Sequence, residues 1–195
     1  MNEKFKQKMT KNINDMINKK CLNLTFLQKM NFYGGVFLIL FIFSLNAYSL
    51  FEIHITHTYQ GLRTSKELIN VSLLFFSIAV IYFFIKKRRL RFFEIKLNYN
   101  ADNFEKALQK TSEELKWTII ENNENYIHAI RTSNWSGSWG ERITIIKLEN
   151  SILINSICDP KKIGSDASYG WNKKNKKIFM KNIMKEVAEN NPAII

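Results

Sequence analysis

The chain has 195 residues, a formal net charge of +12, and only seven Gly and two Pro. Two cysteines, Cys21 and Cys158, are too few for a disulfide framework or a cysteine-based zinc site. Ten of the twelve excess positive charges fall in residues 1–31 and 86–91, not on the distal half. That distribution argues against a nucleic-acid duplex binder, whose folded domain needs the cations to neutralise phosphates.

Residues 1–31 hold seven Lys against Glu3 and Asp15. Phe5, Met9, Ile13, Met16 and Ile17 recur at helical spacing, which predicts a basic amphipathic cytoplasmic segment suited to a membrane surface. Two apolar runs without formal charge follow, Phe32–Phe51 and Leu68–Ile85. About 20 residues at about 1.5 Å each cover a hydrocarbon core of about 30 Å, so both are expected to cross the bilayer as a hairpin. The first run begins too deep in the chain for a cleaved signal peptide and lacks an Ala-x-Ala-like exit, so it reads as a signal anchor.

The first run carries Gly34-Gly35, Ser44, Asn46 and Ser49; the second carries Asn70, Ser72 and Ser77. Small and amide side chains favour close helix contact, and Asn46 and Asn70 are expected at comparable depth across an antiparallel pair. The connector 52–67 is neutral and contains His54 and His57. Two His in a short loop do not define a metal site. The stretch 86–91, Lys-Lys-Arg-Arg-Leu-Arg, closes the second run. By the positive-inside rule both termini lie inside and the connector outside. Lys86, Lys87, Arg88, Arg89 and Arg91 are then the membrane-flanking contacts to anionic headgroups. The expected location is a bacterial inner membrane, multi-pass, N-in/C-in. The bacterial part rests on a composition rich in Lys, Asn, Ile and Phe, as AT-rich genomes give.

Residues 92–190 change period. Phe93, Ile95, Leu97 and Tyr99 alternate with polar residues as a half-buried strand. Asp102 and Glu105 form a capping-box signature ahead of a helix whose apolar face is Phe104, Ala107, Leu108, Thr111 and Leu115. Strands are predicted at 117–122, 126–132, 142–148 and 151–157, with turns at Asn123-Glu124-Asn125 and Glu149-Asn150. A last helix covers about 173–189. The order β-α-β-β-β-β-α predicts a two-layer α+β domain, a mostly antiparallel five-stranded sheet with helices on one face. The whole is a transmembrane hairpin carrying a cytosolic module.

Two stretches are candidates for contact. Trp135-Ser136-Gly137-Ser138-Trp139-Gly140 offers Trp135 and Trp139 as a surface aromatic loop. Ser168, Gly170 and Asn172 open a helix whose first turns hold Lys173, Lys174, Lys176 and Lys177, while Glu186 and Glu189 sit near its end. Both ends oppose the helix dipole, which suggests an anion held by free N–H groups and lysines. The Gly-x-x-x-x-Gly-Lys-Ser/Thr and Gly-x-Ser-x-Gly patterns are missing. His128 falls mid-strand, and no catalytic set assembles. The expectation is therefore no catalytic residue, no metal and no cofactor.

The run from Ser138-Trp139-Gly140 through Asn155-Ser156 and Asp159-Pro160 to Ser168, Gly170, Asn172 and Asn175 resembles uncharacterised bacterial two-span membrane proteins with a comparable C-terminal domain. That resemblance implies no activity. In layout the chain is also similar to the two-span effectors of cyclic-oligonucleotide antiphage defence, which implies a cytosolic sensor behind a membrane hairpin. The expected function is a non-enzymatic inner-membrane protein displaying a small module for protein or ligand contact, with the bilayer, a protein partner or a homo-oligomer through the hairpin as partners. The alternative is a ligand-gated membrane effector sensing an anionic or nucleotide ligand.

Overall fold

Local capping signals decide where the helices of the first half begin. The computed structural model describes residues 3–132, 140–162 and 168–190. Helix α1 (Glu3–Lys19) is followed by the short α2 (Phe26–Phe32) and by α3 (Gly34–Phe51). Thr25 caps α2: its hydroxyl accepts from Gln28 N while the Gln28 side chain accepts from Thr25 N. Thr64 and Glu67 repeat that device at the start of α4 (Ser65–Arg89). A wide turn, Glu52–Thr56, extends α3 and stops at His57 in the left-handed region.

The helical stretches Gly34–Thr56 and Ser65–Arg89, 23 and 25 residues, are long and apolar enough to cross a membrane. Only 6% and 17% of their most apolar windows are buried by the protein itself. That is little cover for the core helices of a soluble domain. The two helices pack through Tyr33 on Phe83 and Phe43 on Phe76, with ring centroids 5.4 and 5.5 Å apart. Leu68, Ser72 and Ala79 are buried on the contact side of α4. Asn46 and Asn70, expected at comparable depth, each sit apart from the other's amide in their bonding. Asn46 donates to Ile42 O one turn back at 2.9 Å, and Asn70 is exposed. An amide next to its own helix carbonyls finds a partner without the second helix.

Strands β1 (Phe93–Lys96), β2 (Trp117–Asn122), β3 (Tyr126–Arg131), β4 (Glu141–Leu148) and β5 (Ser151–Cys158) form one sheet in the order β1-β5-β4-β3-β2. Every pairing is antiparallel. Helices α5 (Ala101–Leu115) and α6 (Trp171–Asn190) cover one face. The cap of α5 is Asn100, whose Oδ1 accepts from Asn103 N at 2.7 Å, and not Asp102, which pairs with Lys106 instead. Phe104, Leu108, Phe179 and Ile183 pack on Ile127, Ile143, Ile145, Ile152 and Ile154. Phe179 is the hub, edge-on to Phe104 and stacked on Trp117.

The other face, expected to carry no helix, is covered as well. Tyr126, Ile146, Leu153 and Ile157 are buried there beneath Met16, Leu22, Leu24, Phe32 and Leu90. Met9, Ile13 and Ile17 of α1 pack at its border. The apolar stripe of α1 thus rests on the sheet rather than on lipid. The cause lies in the strands: Ile145-Ile146 and Ile152-Leu153-Ile154 put apolar side chains on both faces, and a second cover is required.

Candidate functional site

The residues that leave the hairpin and those that enter it pair with each other. Leu22 N donates to Leu90 O at 2.8 Å and Phe92 N to Lys20 O at 2.9 Å, around a Cys21–Arg91 bridge. Lys20 Nζ reaches the Glu94 carboxylate at 2.6 Å and holds that carboxyl below its ordinary range. Asn155 Nδ2, on β5, donates to both Arg89 O and Arg91 O at 2.9 Å. Asn31 Nδ2 donates to Pro160 O at 3.1 Å. The carbonyls at a helix C-terminus have no partner within the helix, and here the sheet supplies one. No slack segment separates the hairpin from the sheet.

A polar row crosses the sheet beneath this joint. His128 faces Thr144, and Thr144 faces Asn155, on neighbouring strands. Thr144 and Asn155 are buried, and among the described residues His128 Nε2, Thr144 Oγ1 and Asn155 Oδ1 have no hydrogen-bond partner. Burial pushes the His128 imidazole down to about 4, with the charges of Arg142 and Lys161 acting in the same direction and Asp159 against it. His128 is therefore neutral at pH 7.

The second polar cluster lies on the opposite face, under the start of α6. Arg131 and Glu141 are directly opposed on β3 and β4, and both are buried. The Arg131 guanidinium stacks over Trp171, its Cζ 3.3 Å from the ring centroid, and Lys174 Nζ lies 4.4 Å from the same centroid. Burial works against the Arg131 charge and the Glu141 carboxylate supports it. With its amide nitrogen turned inward, Asn172 donates to the Glu141 carboxylate and, at 3.1 Å, to Ser156 O, while its oxygen accepts from Ser168 Oγ at 3.1 Å. Asn175 Nδ2 donates to Ser156 Oγ at 2.9 Å, and Asn175 Oδ1 accepts from Trp117 Nε1 at 3.2 Å.

The predicted anion-binding set is divided by this arrangement. Ser168 and Asn172 turn inward to the Glu141 network. Lys173, Lys174 and Lys177 are exposed, and Lys176 is half-buried, its ammonium pKa lowered by that burial. Gly170 has φ +84, a conformation that favours glycine, and its carbonyl accepts from Lys173 N and Lys174 N. A carboxylate of the protein itself, Glu141, lies at the positive end of α6 against Asn172. Sequence reasoning missed Glu141. The available signal was a lone acid at a strand start, ten residues after Arg131 and within one hairpin of it.

Of the membrane-flanking set, Lys87, Arg88, Arg89 and Arg91 are exposed. Lys86 is buried, its Nζ 4.7 Å from the Phe32 ring centroid and 5.4 Å from that of Tyr82. Trp135 and Trp139 lie outside the described residues. His57 Nδ1 stands 3.0 Å from Ile53 O, and among the described residues no three His, Cys, Asp or Glu side chains gather in a metal-binding group. Cys158 is buried.

The fold is thus α+β with a pair of long apolar helices joined to it. No family model, curated protein or solved structure matches the chain.

Proposed function

We propose that the chain is an integral membrane protein of a bacterial inner membrane, N-in and C-in, that holds an α+β module rigidly at the inner ends of a two-helix hairpin. The module serves protein or ligand contact and performs no catalysis. The observation that carries this reading is the joint: the Asn155 amide binds the carbonyls of Arg89 and Arg91, and residues 20–22 pair with 90–92. Packing of α1 on the sheet supports a common side for both ends of the chain. The test is topological. Alkaline phosphatase inserted at Gln60 is expected to be active and a C-terminal fusion inactive, with the full chain resisting alkaline carbonate extraction. The reverse pattern, or release into the supernatant, overturns the reading.

The same rigid joint supports a second reading, a two-span effector in which occupancy of the module moves the hairpin. Growth arrest on expression, lost when Asn155→Ala uncouples the joint while the protein stays in the membrane, favours it. Harmless expression with unchanged membrane potential counts against it.

A further inference from the structure

Helix α2 is the part of the inner end that the fold leaves apolar and uncovered. One side of α2 is in the core, where Phe32 is buried with Leu22, Leu24 and Leu90. On the other side Phe26 is 76% exposed, Leu27 74% and Met30 43%. A seven-residue helix with three large apolar side chains facing outward is costly in water, because apolar surface is expelled from it. The position of α2 identifies what covers them.

Phe32 lies against Lys86 and Tyr33 stacks on Phe83, so the end of α2 stands level with the last turns of α4. Leu22 N bonds Leu90 O at the other end, so the chain from Leu22 through Phe26 to Phe32 runs alongside residues 86–90, the stretch that carries Lys87, Arg88 and Arg89. At about 1.5 Å per residue, α2 spans about 10 Å, comparable to the depth of a headgroup layer with its acyl boundary. The exposed side chains of α2 also run on into the outward face of α3, where Phe37, Leu38 and Phe41 are exposed. One apolar stripe therefore passes from α3 through the break at Tyr33 to Phe26. Lys29 lies on α2 itself, and Lys87, Arg88, Arg89 and Arg91 are exposed at the same end of the hairpin. This is the pattern of a helix at an anionic membrane surface: apolar side chains at the acyl boundary, cations at the phosphates. Helix α1, the segment whose sequence suggested that role, has committed its apolar stripe to the sheet.

We propose that α2 is the leaflet anchor of the protein. Phe26, Leu27 and Met30 enter the inner leaflet at the acyl boundary, Lys29, Lys87 and Arg88 contact anionic headgroups, and the sheet is held at a fixed attitude to the membrane. The proposal rests on the membrane reading above, and its test separates the two.

The full chain is placed in vesicles of mixed phosphatidylcholine and phosphatidylglycerol, with p-benzoylphenylalanine replacing Phe26, Leu27, Phe41 or Glu124 in turn. Phe41 reports the hairpin, and Glu124, in the exposed β2–β3 turn, reports water. Irradiation is expected to give a phospholipid adduct by mass at Phe26, Leu27 and Phe41, at least tenfold above that at Glu124. The yield at Phe26 and Leu27 is expected to fall at least twofold in pure phosphatidylcholine. An adduct at Phe41 with none at Phe26 or Leu27 overturns the anchor and leaves the hairpin standing. A covalent dimer at Phe26 or Leu27 overturns it in favour of a second copy. Adducts at neither Phe41 nor α2 overturn both readings. A Phe26 yield indifferent to the anionic lipid overturns the headgroup contacts.

Discussion

Asn155 and Arg89 stand 66 residues apart, and the Asn155 amide donates to the Arg89 carbonyl at 2.9 Å. The same nitrogen serves Arg91 O at 2.9 Å. One side chain in the second strand of the sheet thereby closes the end of a 25-residue helix. Replacing Asn155 by Ala removes the donor and leaves two carbonyls without it. Leaving a buried polar group unsatisfied costs about 1–3 kcal/mol, and the loss of the unpartnered Asn155 Oδ1 offsets part of the second carbonyl's cost, so Asn155→Ala is expected to destabilise the protein by about 1–3 kcal/mol. Hydrogen exchange should rise most at residues 89–92. Unaltered exchange there, with unchanged stability in detergent, would show the joint to be slack.

The buried pair of Arg131 and Glu141 predicts asymmetric mutational costs. Removing one partner leaves the other buried and uncompensated, which costs about 3–5 kcal/mol. Glu141→Ala also strips Asn172 of its acceptor and α6 of the anion at its positive end. Replacing both, Arg131→Met with Glu141→Leu, removes the desolvation of two charges and is expected to cost less than either single change. Denaturant unfolding of the three variants checks this. A double mutant as unstable as the sum of the singles refutes the coupling.

His128 sets a pH dependence whose sign follows from its depressed pKa. Its folded value is about 4 against an ordinary 6.5. Between these values the unfolded chain binds the proton and the folded one does not, so stability falls as pH drops from about 6.5 toward about 4. Below about 4 this contribution levels off, because both states are protonated. NMR titration of the His128 ring should place its midpoint near 4, and His128→Gln should flatten stability across that window. A midpoint near 6.5 contradicts the burial of this ring among Arg142 and Lys161.

The elements of the distal half were legible because their apolar periods are unambiguous. Strands 117–122 and 126–132 and the turn between them match β2 and β3 within a residue, and both apolar runs match helices. The cap of α5 was misplaced by two residues because Asn100 and Asp102 are both competent caps. What covers the second face was harder to read. An amphipathic stripe such as Met9, Ile13, Met16 and Ile17 fits a bilayer or a sheet equally well, and the choice depends on a complementary surface formed over 100 residues later. The adjacent Ile152, Leu153 and Ile154 signal that surface by breaking the alternation of a one-sided strand. Glu141 was illegible for a related reason: this carboxylate, which lies against Asn172 in the first turn of α6, comes from another strand, where spacing along the helix cannot show it. The capping box of Thr25 and Gln28 was present in the sequence, but it lies past Ile17, the last residue of the amphipathic stripe that was read in residues 1–31.

Docking of α1 on the sheet makes its own prediction. Met16 is 2% exposed and sits over Tyr126, Ile146, Leu153 and Ile157. Truncating a buried Met to Ala costs about 2–5 kcal/mol, and at the end of a helix that covers only part of the face the lower half of that range is expected. Met16→Asp places a charge in the same apolar contact and should release α1 outright. The freed helix, too short and too charged to hold its fold alone, then becomes open to trypsin at Lys11 and Lys19. Cleavage is expected to accelerate at least tenfold in Met16→Asp, in detergent and in lipid alike, with the unfolding midpoint of the sheet lowered. If α1 instead lay on the bilayer, Met16→Asp would leave that midpoint unchanged in detergent and alter cleavage only in vesicles.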